Sequence, residues 1–191
     1  PLDEYREQRR GGQGKAAAAV KEEDLIQNLY VLSSHVQILC FTTKGKVFWL
    51  KVYEIPVASR TSKGRPLVNM LNLDDDERVS DILPVEEFSD DKFIFMATRK
   101  GITKKTKLSL FARKWKSGIK AINLDDDDRL IGTAITDGSK EILLASSAGK
   151  LIRFNESKVR AMGRTARGVK GMKLKKDHKL ISLNVADSSK T

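Results

Sequence analysis

The 191-residue sequence predicts an all-β fold, a run of repeated four-stranded antiparallel blades, on three observations. A glycine recurs after 50, 54 and 50 residues, at Gly14, Gly64, Gly118 and Gly168. Each is followed by two apolar positions six apart with mostly charged residues between them: Val20 and Ile26, Leu73 and Val79, Leu124 and Leu130, Leu174 and Leu180. Upstream of each later copy stand two short apolar runs joined by a glycine-containing turn. A fixed period of this size marks a repeat architecture, and short runs joined by Gly turns are β-hairpins.

The first motif in chain order is Gln8-Arg9-Arg10-Gly11-Gly12-Gln13-Gly14, which pairs two guanidiniums with three glycines. Guanidinium forks fit phosphates bidentately, and glycines let backbone amides line a concave anion nest. A solvated Arg/Gly turn is the plainer alternative. It is no Walker A loop, because Arg9 stands where that motif needs its first glycine and Ala16 where it needs Ser or Thr. Residues 15–29 read as a helix by propensity, with four alanines. Repeat phase instead aligns Ala16–Val20 with a third strand, and the global pattern is expected to override.

The hairpins follow. Ile38–Phe41 leads through Gly45 to Val47–Leu50, Phe93–Met96 through Gly101 to Ile102 and Leu108, and Ile142–Ala145 through Gly149 to Leu151–Phe154. One unit then reads as four strands, near Val36–Phe41, Lys46–Val52, Leu67–Asn72 and Val79–Leu83, the size of a propeller blade. A solenoid is the alternative, although its repeats are usually shorter. The expected division is residues 1–33 (second half of a first blade), 34–86, 87–137, and 138–191 (a blade and the start of the next).

Charge follows the same phase. Net charge is +11, which favours a polyanionic partner. Acid collects at Asp74–Glu77 and Asp125–Asp128. Base collects on the second strands and the loops after them: Arg60, Lys63, Arg65; Lys104, Lys105, Lys107, Arg113, Lys114, Lys116; Arg153, Lys158, Arg160, Arg164, Arg167. Each blade is thus expected to carry an acidic corner and a basic rim, and successive rims suit a bent duplex tracked by its phosphates. Aromatics are 6% of residues and mostly sit in apolar runs, so backbone contact is favoured over base stacking.

Other chemistries find little support. The acidic runs lack the glycine and glutamate of a calcium loop, and His35 and His178 have no Cys or His at zinc spacing. Cys40 lies in an apolar run as a buried small hydrophobe. No Ser/His/Asp set or apolar carboxylate pair argues for catalysis, and no metal or cofactor is expected in this chain. Apolar runs reach at most about six residues and the start lacks signal-peptide order, so a soluble cytoplasmic protein is expected.

QRRGGQG resembles the gyrase A box, and the blades resemble the C-terminal DNA-wrapping domain of the DNA gyrase A protein. Supporting stretches are ILCFTTKGKVFWLKVYEIP, KGRPLVNMLNLDDDERVSDILPV, FMATRKGITKKT and KVRAMGRTARGVKG. The resemblance implies a β-pinwheel, a propeller-like ring whose blades exchange strands, here as an incomplete ring with DNA on its basic outer rim. It assigns Gln8, Arg9, Arg10, Gly11, Gly12, Gln13 and Gly14 to the box. Gln13 stands where lysine is usual, and Lys15 is expected to compensate in part. It also implies sequence-nonspecific wrapping of duplex DNA as a non-catalytic part of an A2B2 holoenzyme, alongside the core of the gyrase A protein and the gyrase B protein. ATP and Mg would be used there, in a bacterial cytoplasm and on the nucleoid, to introduce negative supercoils. The related C-terminal domain of topoisomerase IV and a propeller-type protein-interaction platform are the alternatives.

Overall fold

A computed structural model describes residues 7, 9–13, 28–59, 62 and 64–187. The helix-or-strand question at 15–29 falls outside them except for Asn28 and Leu29.

Three hairpins form the frame: β1 (Gln37–Thr42) with β2 (Lys46–Lys51), β4 (Phe93–Thr98) with β5 (Ile102–Lys107), and β8 (Glu141–Ser146) with β9 (Leu151–Asn155). Each turn is closed by a glycine amide, from Gly45 to the Thr42 carbonyl, Gly101 to Thr98 and Gly149 to Ser146, at 2.9–3.0 Å. The last strand of each unit returns to the first strand of its hairpin: β3 (Val79–Val85), β7 (Leu130–Thr136) and β11 (Leu180–Ala186). The turn before each bends the chain back to allow this antiparallel return.

The third strands are two residues long and cross to a neighbour. β6 (Ile119–Lys120) pairs with β2 (Val47↔Ile119), and β10 (Val169–Lys170) pairs with β5 (Val169↔Thr103). The sheets therefore run β3-β1-β2-β6, β7-β4-β5-β10 and β11-β8-β9, so a sheet is not the same set of residues as a sequence unit. This is the strand exchange that the resemblance implied. The expected strand at Leu67–Asn72 is instead a 3-10 turn over Leu67–Asn69, with the Asn69 amide donating to the Pro66 carbonyl. A third strand exists only where an earlier second strand offers its edge, and no such edge faces Leu67–Asn69 among the described residues.

The sheets stack face to face, so their alternate residues enter different cores. Leu39, Phe41 and Val47 of the first sheet meet Ile94 and Met96 of the second, while Phe95 and Ala97 meet Ile142 and Leu144 of the third. Phe41 and Phe95 are fully buried. Burial of a side chain of this size contributes about 1.5–3 kcal/mol, and Phe41 adds an edge contact to Phe111 at 6.1 Å. The second sheet is covered on both faces.

Backbone bonds lock one unit to the next. Gly45 O accepts from Ala121 N and Ile122 N at 2.8 and 3.2 Å, and Gly101 O accepts from Gly171 N and Met172 N at 2.9 and 3.1 Å. Gly101 has φ +81°, and a Cβ there would lie 2.6 Å from Met172 O. It is glycine for both the turn and the blade contact. Gly149, φ +69° in the same turn, has open space where its Cβ would be.

Candidate nucleic-acid interface

The box forms a tight turn. Gly12 N donates to Arg9 O at 3.0 Å and Gly11 takes φ +88°, which an L side chain would resist. Arg9, Arg10 and Gln13 are exposed, and neither arginine has a carboxylate partner among the described residues. Gln8, Gly14 and Lys15 lie outside those residues, as do Arg60 and Lys63 of the first rim loop; Arg65 of that loop is exposed.

The second rim loop leaves β5 through a 3-10 turn over Leu108–Phe111. It then presents Arg113, Lys114, Trp115 and Lys116 to solvent, and Gly118 N closes it on Trp115 O at 3.0 Å. The Arg113 guanidinium stacks 4.8 Å from the Trp115 ring centre. These cations have no carboxylate partner among the described residues, which leaves them able to meet an anion. Trp115, 49% exposed, is an aromatic that composition alone had set aside. The alternation of base and aromatic in Arg113-Lys114-Trp115-Lys116 was the available signal.

In the third unit, Arg160 is exposed and Arg164 half-buried. Arg167 is exposed but engaged. Its Nε and Nη2 donate to the two Asp125 carboxylate oxygens at 2.5 Å each, which holds that carboxyl below the usual range. Arg153 pairs with Glu141 at 3.0 Å and Lys107 with Asp90 at 3.6 Å, so both cations are already partly balanced.

Lys104 and Lys105 correct the expectation from sequence, because both are buried rather than on the rim. Alternation along β5 turns Lys104 to the face it shares with Met96, toward the first sheet, and Lys105 to the face of Phe95, toward the third. Neither face is open to water. Lys104 occupies the position that Phe48 holds in β2; its ammonium donates to Ala121 O at 2.7 Å and to Arg164 O. Desolvation, helped by the Arg164 charge, pushes its pKa down to about 7. Lys105 donates to Glu156 O at 3.0 Å, lies 3.7 Å from the buried Glu156 carboxylate and sits over the Phe93 ring. These lysines brace the rim loop from beneath.

The acidic corners are partly neutralised by the hairpin turns. Lys46 reaches Asp74 at 3.0 Å and Glu77 at 3.4 Å, and Lys44 pairs with Asp76. Glu77 is buried and accepts the Thr42 hydroxyl at 2.5 Å. Asp128 Oδ1 accepts the amides of Lys100 and Arg129 at 2.9 and 2.8 Å, the turn-closing role expected of an aspartate. Cys40 is buried, and desolvation raises its thiol to about 12. No cluster of His, Cys, Asp and Glu among the described residues has metal-site geometry, and no described helix is long and apolar enough to cross a membrane.

Comparison with known proteins places this geometry. The DNA gyrase A protein of Salmonella typhimurium is 53% identical over 183 residues, covering 96% of this chain, and that of Haemophilus influenzae is 55% identical over 174 residues, covering 91%. The chain spans 21% and 20% of the length of those two proteins. Among solved structures, the C-terminal domain of DNA topoisomerase IV superposes with TM-score 0.82 at 30% identity, covering 90% of this chain and 54% of that one. A DNA gyrase A C-terminal domain superposes with TM-score 0.69 at 25% identity, covering 95% and 58%. The family described as DNA gyrase C-terminal domain, beta-propeller, matches residues 1–33, 37–86, 92–137 and 140–187. Repeat, sheet order and sequence agree, and the chain belongs to the DNA gyrase C-terminal domain family.

Proposed function

We propose that this chain binds duplex DNA through its phosphates, bends it around the blades and hands it to a gyrase core as the non-catalytic module of that enzyme. The observation that carries the reading is the loop Arg113–Lys116, whose three cations are exposed without carboxylate partners among the described residues. Arg65, Arg160 and Arg164 stand in the corresponding loops of the neighbouring units. Their charges neutralise phosphates without reading bases, so sequence preference is weak. Box residues Gln8–Gly14, with Arg9 and Arg10 exposed, hold the end of the wrapped path. Within an A2B2 assembly with the gyrase B protein, where ATP and Mg are used, the wrap presents a passing segment so that strand passage adds negative supercoils.

The test is the linking number left in relaxed circular DNA after this chain binds and a nicking-closing enzyme acts. A shift is expected; binding without a shift reduces the reading to attachment. Neutralising about six phosphates predicts a loss of affinity on the order of 10³-fold between 50 and 200 mM salt, and a flat response refutes phosphate dominance. Replacing Arg9 and Arg10 by Ala is expected to leave DNA binding by the chain largely intact. In reassembled gyrase the same change is expected to remove supercoiling while sparing relaxation and cleavage, because the bend costs about 1–6 kcal/mol and relaxes when an end is released. Unchanged supercoiling, or loss of cleavage, refutes the role given to the box.

A further inference from the structure

The rim loop of the second unit is pinned at both ends and bare between them. At its start the Trp49 indole Nε1 donates to Phe111 O at 2.8 Å, and Phe111 itself is fully buried. At its end Gly118 takes φ +70°, a Cβ there would lie 2.8 Å from the Phe48 ring, and its amide closes the turn on Trp115 O. Residues 112–117 therefore leave and rejoin the fold at fixed points, and every one of them is exposed.

The indole of Trp115 takes no part in either anchor. It is 49% exposed and belongs to none of the hydrophobic clusters among the described residues, whereas Trp49 packs on the first of them. Its ring instead carries the Arg113 guanidinium over one face, 4.8 Å from the ring centre, which is cation–π range. The corresponding loops of the neighbouring units, residues 57–66 and 159–168, contain no aromatic residue, so neither the blade nor its rim requires one at this place. An indole that fills no core, held in water on a fixed loop, is surface kept for a partner.

Its neighbours set what it can meet. Arg113, Lys114 and Lys116 flank it without carboxylate partners among the described residues, and cations that engage successive phosphates bring the ring onto the strand between them. The apolar surface there is the C–H edge of the deoxyribose. Insertion between base pairs does not fit the direction of the bend, because a wedge opens the side it enters and tilts the duplex away from the protein, whereas a wrap closes the duplex towards it. We propose that Trp115 is a direct contact for duplex DNA, its indole packing on the deoxyribose edge of one strand while Arg113, stacked on it, is held in place beside that strand. This rests on the DNA-binding reading above and adds to it a contact that is apolar and therefore indifferent to salt.

The experiment titrates a linear duplex against the chain, Trp115→Ala and Trp115→Phe over a range of salt. Trp115→Ala is expected to lower affinity about tenfold at every salt concentration, the apolar share of a covered ring, with an unchanged slope of log affinity against log salt because no charge is lost. Trp115→Phe is expected to restore most of that affinity. Arg113→Gln separates contact from support: it shrinks the slope by about 0.9, and adding Trp115→Ala to it is expected to lower affinity again. Acrylamide quenching of Trp115, with the emission of the other tryptophan, Trp49, subtracted by way of Trp115→Phe, is expected to fall when DNA binds. Wild-type affinity in Trp115→Ala, no added loss in the Arg113→Gln background, or a ring as accessible in the complex as in the free chain overturns the inference while the wrapping reading stands. If Trp115→Ala keeps its duplex affinity but lowers supercoiling by reassembled gyrase, the inference is equally overturned and the ring meets a protein of that enzyme instead. If the unmodified chain binds no duplex, both readings fall.

Discussion

Lys104 offers the sharpest test of the structure, because its burial reverses what its charge suggests. Its ammonium has no exposed surface and donates to Ala121 O at 2.7 Å and to Arg164 O. Its pKa falls from 10.5 in the unfolded chain to about 7 in the fold. Below about pH 7 both states hold the proton and the folded state bears the full desolvation cost. As pH rises from there toward 10.5 the folded state releases the proton first, the unfolded chain binds more protons, and stability rises. At about 1.4 kcal/mol per pH unit, the gain between about pH 7 and about pH 9.5 is about 3 kcal/mol. Replacement by Met removes the titration and leaves two carbonyls without this donor, at about 1–3 kcal/mol for each group left unsatisfied. Urea unfolding of both proteins at the two pH values isolates the effect, since they share every other titrating side chain. The stability of the native chain relative to Lys104→Met is expected to grow by about 3 kcal/mol at the higher pH. A difference unchanged with pH, or one that shrinks, refutes a buried, cation-disfavouring site.

Two further outcomes follow from named contacts. Gly149→Ala meets only the left-handed backbone cost, about 1–2 kcal/mol, whereas Gly101→Ala also drives a methyl to 2.6 Å from Met172 O and is expected to cost more; equal losses in denaturant would show that the blade contact does not demand glycine. Asp125→Asn removes an exposed pair whose contribution is at most about 1 kcal/mol, so stability should hardly change. It also frees Arg167, so duplex affinity is expected to rise, and an unchanged or weaker affinity in a salt titration would place Arg167 off the DNA path.

Much of the fold was legible because local chemistry dictates it. Gly45, Gly101 and Gly149 mark left-handed turns that few other residues adopt, and the apolar runs beside them could only be hairpins. The exchanged strands were harder to see. β6 and β10 have two residues each, too few for an alternation to register, and Leu67–Asn69 has the same phase but no strand edge to join among the described residues. The site divides in the same way. Exposed Arg113, Lys114 and Lys116 could be read from their loop, but the burial of Lys104 and Lys105 could not be read from their strand.

By itself, then, the sequence determined the repeat, the turns and the sign of the charge, because these depend on a residue's own backbone preference and ionisation. Which cations face water was decided only by the tertiary structure. Lys104 and Lys105 alternate along β5 as any strand residues do, yet both faces of that sheet are covered, so two charges that a lone hairpin would leave at least half-solvated are held inside, against carbonyls and Glu156. Burial belongs to the stacking of sheets, and no window of residues along one strand contains it.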